Sequence, residues 1–449
     1  MSINNQPKLD RKISILQATA INMTDMVGIG PFVVLSMVAE IMQGPWFLYA
    51  WVAGAILSFV DAMVWSQLGA TYPLAGGSYN FLKEGFGPKW GKLVSFLFVW
   101  QTMIQAPLVI ASAAIGFATY FRYIIPLNDW QGKVISGSLV IMIVLLLYRK
   151  IEAIGKISVL LWMGVLITMA WLIGGGIYHG NFMQPILHIN DGLKLDHAFA
   201  AALGFASVKT IYSYLGYYNV CHLGGEIINP KKNIPKSMFI SIVGIAFLYL
   251  MMNISVASVL SLEQIQKSKF VVSEFVAVLF GQTAANIATV LILWVAFASV
   301  FSATLGYSRI PYAAANDGAF FKIFAKLHPT KHFPYISLLV LGSVAFVFSL
   351  LLRLSEIISA ILAMRILIQF IGQAIGLILL VKRKGKAHFE WKMPLYPLPI
   401  ILAISIWALV FVSTGQKMIF GGLAVIGLGI IAYLIKSNRN QEWPFERTE

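Results

Sequence analysis

In the stretch TDMVGIGPF, residues 24–32, two glycines and a proline fall within four residues, and an aspartate sits one turn earlier. The run around it is apolar enough to form one long helix. Interior glycine costs about 1 kcal/mol there and proline about 3, so the spacing predicts a break. Pro31 lacks an N–H and suits the start of a second half-helix. The free N–H groups of Gly28, Ile29 and Gly30, together with the positive end of that half-helix, would then face an anion such as a carboxylate. The plainer alternative is a proline kink whose glycines serve helix packing.

A second stretch, TIYSYLGYYN (210–219), carries a similar interruption. Leu215 and Gly216 mark its unwound step, Tyr212 and Tyr217 flank it as pocket walls, and carbonyls around Ser213 and Tyr214 would receive an ammonium. Taken alone, this could equally be an aromatic helix face packed in a core. Asp25 is the acid beside the first break. A carboxyl in an apolar span is costly unless paired or hydrated, which makes it a functional candidate. It suits a proton carrier, a partner for a bound amine or part of a sodium site, against the alternative of a structural acid bonded to freed backbone N–H groups. Weaker candidates are Gln101 with Gln105 and Arg365 with Gln369, each pair four apart on one helix face. Lys209 lies one turn before Tyr212. Glu40 and Asp61 fall toward helix ends, where they would be hydrated or paired.

Enzyme chemistry has no visible constellation. The chain holds one cysteine, Cys221, no HExxH, no GxSxG between strand and helix, and no phosphate-binding loop. The histidines lack metal-ligand spacing. No metal or cofactor is expected.

The elements that must position these residues are membrane helices. Of 449 residues, 59% are hydrophobic and only 11% charged, with mean hydropathy +0.79; soluble chains carry about 25% charged residues. Runs such as MFISIVGIAFLYLMMNISVASVL exceed the ~20 residues a spanning helix needs. The pattern predicts an all-α polytopic protein with about twelve transmembrane helices, near 13–42 (broken), 46–70, 90–121, 132–149, 154–178, 197–224 (broken), 237–260, 284–312, 334–353, 356–381, 395–414 and 418–436. The net charge of +15 lies mostly in alternate connections, for example Arg149 and Lys150, Lys231, Lys232 and Lys236, and Lys382, Arg383, Lys384 and Lys386. That alternation argues against nucleic acid and places both termini in the cytoplasm of a cell with the chain in its plasma or inner membrane.

The breaks fall in the first and sixth spans, five helices apart. Interrupted spans at matching places in two halves point to a transporter of inverted repeats, with the bound solute at the midplane between the half-helices. One membrane domain is expected over 1–449: a first five-helix repeat at 13–178, a second, inverted one at 197–381, and two further helices at 395–436. Trp294, Phe297 and Phe301 in span eight are candidate gates, with Tyr212.

Four motifs in order resemble those of the amino acid–polyamine–organocation (APC) superfamily. They are MVGIGPF (26–32), YPLAGGSYNFLKEGFGPKWG (72–91), GEIINPKKNIPKSM (225–238) and SRIPYAAANDGAFFKIFAKLHP (308–329). The resemblance implies a LeuT-type 5+5 inverted repeat with broken helices 1 and 6, and secondary transport of amino acids or related organic amines by alternating access. Proton-coupled symport or exchange is the expectation, with sodium less favoured. Ser299 and Ser302 stand where sodium-dependent LeuT-type carriers place hydroxyls. Ile29-Gly30-Pro31 replaces the family's usual Ser-Gly-Ile, removing a hydroxyl and an N–H from the first break. Val165 stands where many relatives carry a lysine in span five. The alternatives are a sensor of the same fold without net transport, or a same-fold carrier for polyamines or nucleobases.

Overall fold

Ser14 opens the first helix: its hydroxyl accepts from the Gln17 N–H while the Gln17 side chain accepts from the Ser14 N–H, satisfying two helix-end donors. The computed structural model, which describes residues 9–352 and 354–445, continues from there almost entirely in helices. α1 (Ile15–Met26) and α2 (Gly30–Met42) are followed by α3 (Leu48–Thr71), α4 (Ser78–Ile124), α5 (Asp129–Leu147) and α6 (Ile151–His179). A short α7 (Gln184–Leu187) leads to α8 (His197–Tyr214), α9 (Asn219–His222) and α10 (Pro230–Ala257). Then come α11 (Leu262–Lys267), α12 (Val271–Tyr307), α13 (Arg309–Asn316), α14 (Tyr335–Leu351), α15 (Leu354–Arg365), α16 (Gln373–Lys384), α17 (Leu398–Ser413) and α18 (Gln416–Asn440). A π-helical stretch, Ile366–Gly372, joins α15 to α16.

Among the described residues, eight helical stretches are long and apolar enough to cross a membrane, nine when the bent α1–α2 pair is taken as one span. The twelve spans expected from sequence add the shorter apolar helices α14 and α17 and the interrupted α8–α9 segment. The chain is therefore an all-α, multi-pass membrane protein.

Two connections differ from expectation. The charged stretch 72–91 is mostly helical, because α4 begins at Ser78 and merely kinks at Gly87 (φ 81°, ψ −172°). The connection between the expected spans 237–260 and 284–312 likewise holds α11 and the start of α12, which kinks at Gly281 (φ 81°, ψ 174°). The spans expected at 46–70 and 90–121 leave the first segment as a connection, yet polar residues such as Lys83 and Glu84 are compatible with a helix that runs along an interface before turning. The two kinks use the same backbone geometry, which only glycine adopts without strain.

α1 packs against α6, α10 and α12, while α2 lies on α8 and α3 runs between α8 and α10. Large side chains fill these contacts, with Trp51, Trp65, Tyr214 and Tyr249 all fully buried. This packing brings the ends of α1 and α8 together.

Candidate functional site

Both interruptions are present as breaks in the backbone. α1 ends at Met26, α2 starts at Gly30 with Pro31 in its first turn, and the two axes bend by 43°. α8 ends at Tyr214 and α9 starts at Asn219, leaving Leu215 to Tyr218 outside regular helix. The second break lies directly on the first. A Cβ added to Gly216, whose φ is +121°, would sit 2.8 Å from the Met26 nitrogen and 2.9 Å from the Asp25 carbonyl carbon. Only glycine permits that contact, since such a φ disfavours any side chain and the neighbouring atoms are backbone.

The freed carbonyls are claimed by one hydroxyl. Tyr249 on α10 places its Oη 2.7 Å from the Met26 carbonyl oxygen and 2.9 Å from that of Ser213, so it ties the last turns of α1 and α8 together. The Gly28 N–H is also engaged, donating to the Met26 carbonyl at 3.0 Å. It is therefore not the free donor expected from sequence; the tight turn after Met26 uses it locally. Ser299 on α12 donates to the Asp25 carbonyl at 3.3 Å.

A small cavity opens where the breaks meet. Gly28, Ile29 and Gly30 line it from the first break, and Tyr212, Ser213, Leu215 and Gly216 from the second. Asp25, Ser299 and Arg365 also face it. Tyr212 is held by its hydroxyl, 3.0 Å from Ser112 Oγ. Arg365 is 1% exposed. Its Nε donates to Gln369 Oε1 at 2.8 Å and its Nη2 donates to the Tyr218 hydroxyl.

Other predicted residues stand apart from this cavity. Tyr214 packs edge-on against Trp51 and Tyr249, and Tyr217 turns away to donate its hydroxyl to Asp61. Because side chains in an unwound segment no longer follow helical spacing, Tyr218 rather than Tyr217 faces the cavity, joined by Tyr307. The YY pair signalled aromatic walls, but only the backbone path decides which ring points inward. Ser302 bonds Thr24 (Oγ to Oγ1, 2.6 Å), and its carbonyl accepts from Asn219 at 2.7 Å. Trp294 donates to the Leu161 carbonyl at 3.0 Å and is 38% exposed on the outer side of α12. Phe301 is buried in the core, with half-buried Phe297 packed against it. Gln101 and Gln105 are buried on α4, and Lys209 is half-buried on α8; none of the three lines the cavity. Asp61 is not at a helix end: it is buried midway along α3, with Trp65 Nε1 donating to it at 2.8 Å.

The motif-bearing connections converge elsewhere. Arg309 forms a two-pronged ion pair with Glu226, Nε to Oε2 at 2.9 Å and Nη2 to Oε1 at 2.8 Å, with both side chains buried. Glu226 also accepts, through its backbone carbonyl, from the N–H groups of Lys12 and Ile13 at 2.9 Å. Asp317 receives Tyr79 Oη at 2.7 Å and is paired with Lys83. Three sequence-distant loops and the N-terminal segment thus close over one end of the helix bundle.

A multi-pass helical membrane protein with a charged cavity between two interrupted helices has the form of a solute carrier. Residues 13–433 match the family model described as amino acid permease, and the chain belongs to that family. It is 28% identical to the "Uncharacterized amino acid permease YecA" of Bacillus subtilis, over 77% of this chain and 78% of the relative. It is 25% identical to the "Serine/threonine exchanger SteT" of the same organism, over 88% and 89%. It is 26% identical to the "Large neutral amino acids transporter small subunit 2" of Mus musculus, over 95% and 81%. Family membership places the protein among amino acid transporters rather than enzymes.

Proposed function

We propose that the chain is a secondary transporter that moves amino acids by alternating access, binding them in the cavity between the breaks. The observation that carries this reading is the meeting of two unwound segments at one polar cavity. Irregular backbone at membrane depth persists only where protein, ligand or water satisfies it. Here the Met26 and Ser213 carbonyls share the single Tyr249 hydroxyl proton, while Ile29 and Gly30 line the cavity together with Asp25, Ser213 and Arg365.

A 5+5 inverted repeat is supported by two matched pairs of features. One is the breaks at Gly28 and Gly216; the other is the equivalent kinks at Gly87 and Gly281. Coupling is to protons or to a counter-transported amino acid, with Asp25 as the coupling acid; Ser299 contacts its carbonyl and Ser302 lies one turn on. The basic connections favour cytoplasmic termini and residence in the plasma or inner membrane. Relatives named for serine and threonine exchange and for large neutral amino acids suggest neutral amino acids as first substrates to try.

The test is uptake of a radiolabelled amino acid panel into proteoliposomes, at two pH values, with and without sodium, and with or without internal amino acid. Saturable uptake stimulated by an inward proton gradient or by internal substrate is expected. Ligand binding by thermal shift without flux across the whole panel would replace this reading with a sensor.

A further inference from the structure

We propose that Arg365 is the anchor for the substrate's carboxylate, so that the carrier accepts solutes with a free carboxylate and rejects amines that lack one. The inference rests on the cavity between the breaks being the substrate site, and it narrows the substrate class of that site.

The first break is poor in donors for an anion. Gly28 spends its N–H on the Met26 carbonyl, and Pro31 has none to give. Ile29 and Gly30 remain, with a helix end worth about half a positive charge. A carboxylate has roughly four lone-pair sites to satisfy, so two amides leave it under-bonded in a dry site.

The same cavity holds a full positive charge. Arg365 lies at the last residue of α15, where the helix widens into the π-helical stretch Ile366–Gly372. Such widenings frequently accompany functional sites. The hydrogen-bond and ring partners of its guanidinium are neutral: the Gln369 amide, the Tyr218 hydroxyl, and the rings of Tyr218, Phe370 and Tyr307, whose centroids lie 5.1, 5.5 and 5.8 Å from Cζ; the Asp25 carboxyl lies within electrostatic range. Asp25 lines the cavity as well, but no ion pair joins the two among the described residues. A guanidinium carries five N–H donors in a planar fork. Nε and Nη2 are held from behind, while Nη1 makes no hydrogen bond within the described chain.

A buried cation with no direct ion pair and an uncommitted nitrogen at a cavity wall is costly unless an anion completes it. Nη1 and the second hydrogen of Nη2 form the remaining edge of the fork, which can take a carboxylate end-on. Asp25 supplies the opposite pole for the substrate's ammonium. A zwitterion therefore leaves both charges matched, whereas a polyamine or a decarboxylated amine would set a second cation against Arg365.

The experiment measures binding to the purified full chain in lipid nanodiscs, using the twenty L-amino acids and putrescine. The tightest-binding amino acid is then compared with its α-amide and its decarboxylated amine. Wild type should bind the amino acid at least about tenfold more tightly than either derivative, as expected for losing a charge-assisted pair. Arg365→Gln should lose about tenfold or more for the amino acid and bind acid and amide alike; Arg365→Lys should recover part of the preference. Equal wild-type binding of acid, amide and amine, or an Arg365→Gln protein with the wild-type melting temperature and an intact acid preference, would overturn the assignment. Where Arg365→Gln impairs folding, Arg365→Lys carries the test: an undiminished acid preference in that variant would overturn the assignment. Absence of binding by every amino acid would instead overturn the underlying reading of the cavity.

Discussion

Tyr249→Phe isolates the tie between the two breaks. The substitution removes one oxygen and leaves the packing of the ring against Trp51 and Tyr214 in place. The Met26 carbonyl keeps the Gly28 N–H at 3.0 Å. The Ser213 carbonyl, 2.9 Å from the lost hydroxyl, has no other hydrogen bond among the described residues. The net cost is therefore that of one buried carbonyl left without a partner, about 1–3 kcal/mol. That carbonyl ends α8 at the cavity wall, so the loss should fall on the geometry of the second break. The corresponding fall in substrate affinity is about 5- to 150-fold at 1.4 kcal/mol per decade. Binding of the best substrate by scintillation proximity, beside the melting temperature of the unliganded protein, measures both effects. A variant that binds within twofold of wild type and melts at the same temperature would refute the claim that this hydroxyl sets the break.

Three further substitutions probe separate parts of the fold. Glu226→Gln strands the buried Arg309 and should destabilise the protein by about 3–5 kcal/mol; Glu226→Gln combined with Arg309→Met should regain part of that loss in thermal melts. Gly216→Ala forces a Cβ to within 2.8 Å of the Met26 nitrogen at φ +121°, so uptake should fall at least about tenfold by loss of break geometry. A variant with normal uptake would show that the breaks need not touch. Asp25→Asn should remove the dependence of uptake on an inward proton gradient while leaving a folded protein; normal pH-dependent transport by this variant would exclude Asp25 as the coupling acid.

How much of this was legible beforehand differs between the chain and the site. Composition and run length determined a polytopic helical membrane protein, because no other solvent stabilises a chain so apolar and so sparsely charged. Glycine marked both breaks, joined by proline at the first, since helix propensity is a local property. Local propensity does not record direction once a helix unwinds. Tyr218 rather than Tyr217 faces the cavity, and Gly28 spends the N–H that spacing alone left free. Asp61 looked like a helix-end charge but is enclosed midway along α3 by Tyr217 and Trp65. Arg365 was one of several polar residues in apolar spans. Only packing sorted them, placing Arg365 and Asp25 at the same cavity while Gln101, Gln105 and Lys209 stayed outside. The sequence by itself determined where the helices must break. The tertiary structure decided which groups the breaks present to a ligand, because that depends on contacts between segments nearly two hundred residues apart, such as Gly216 on Met26.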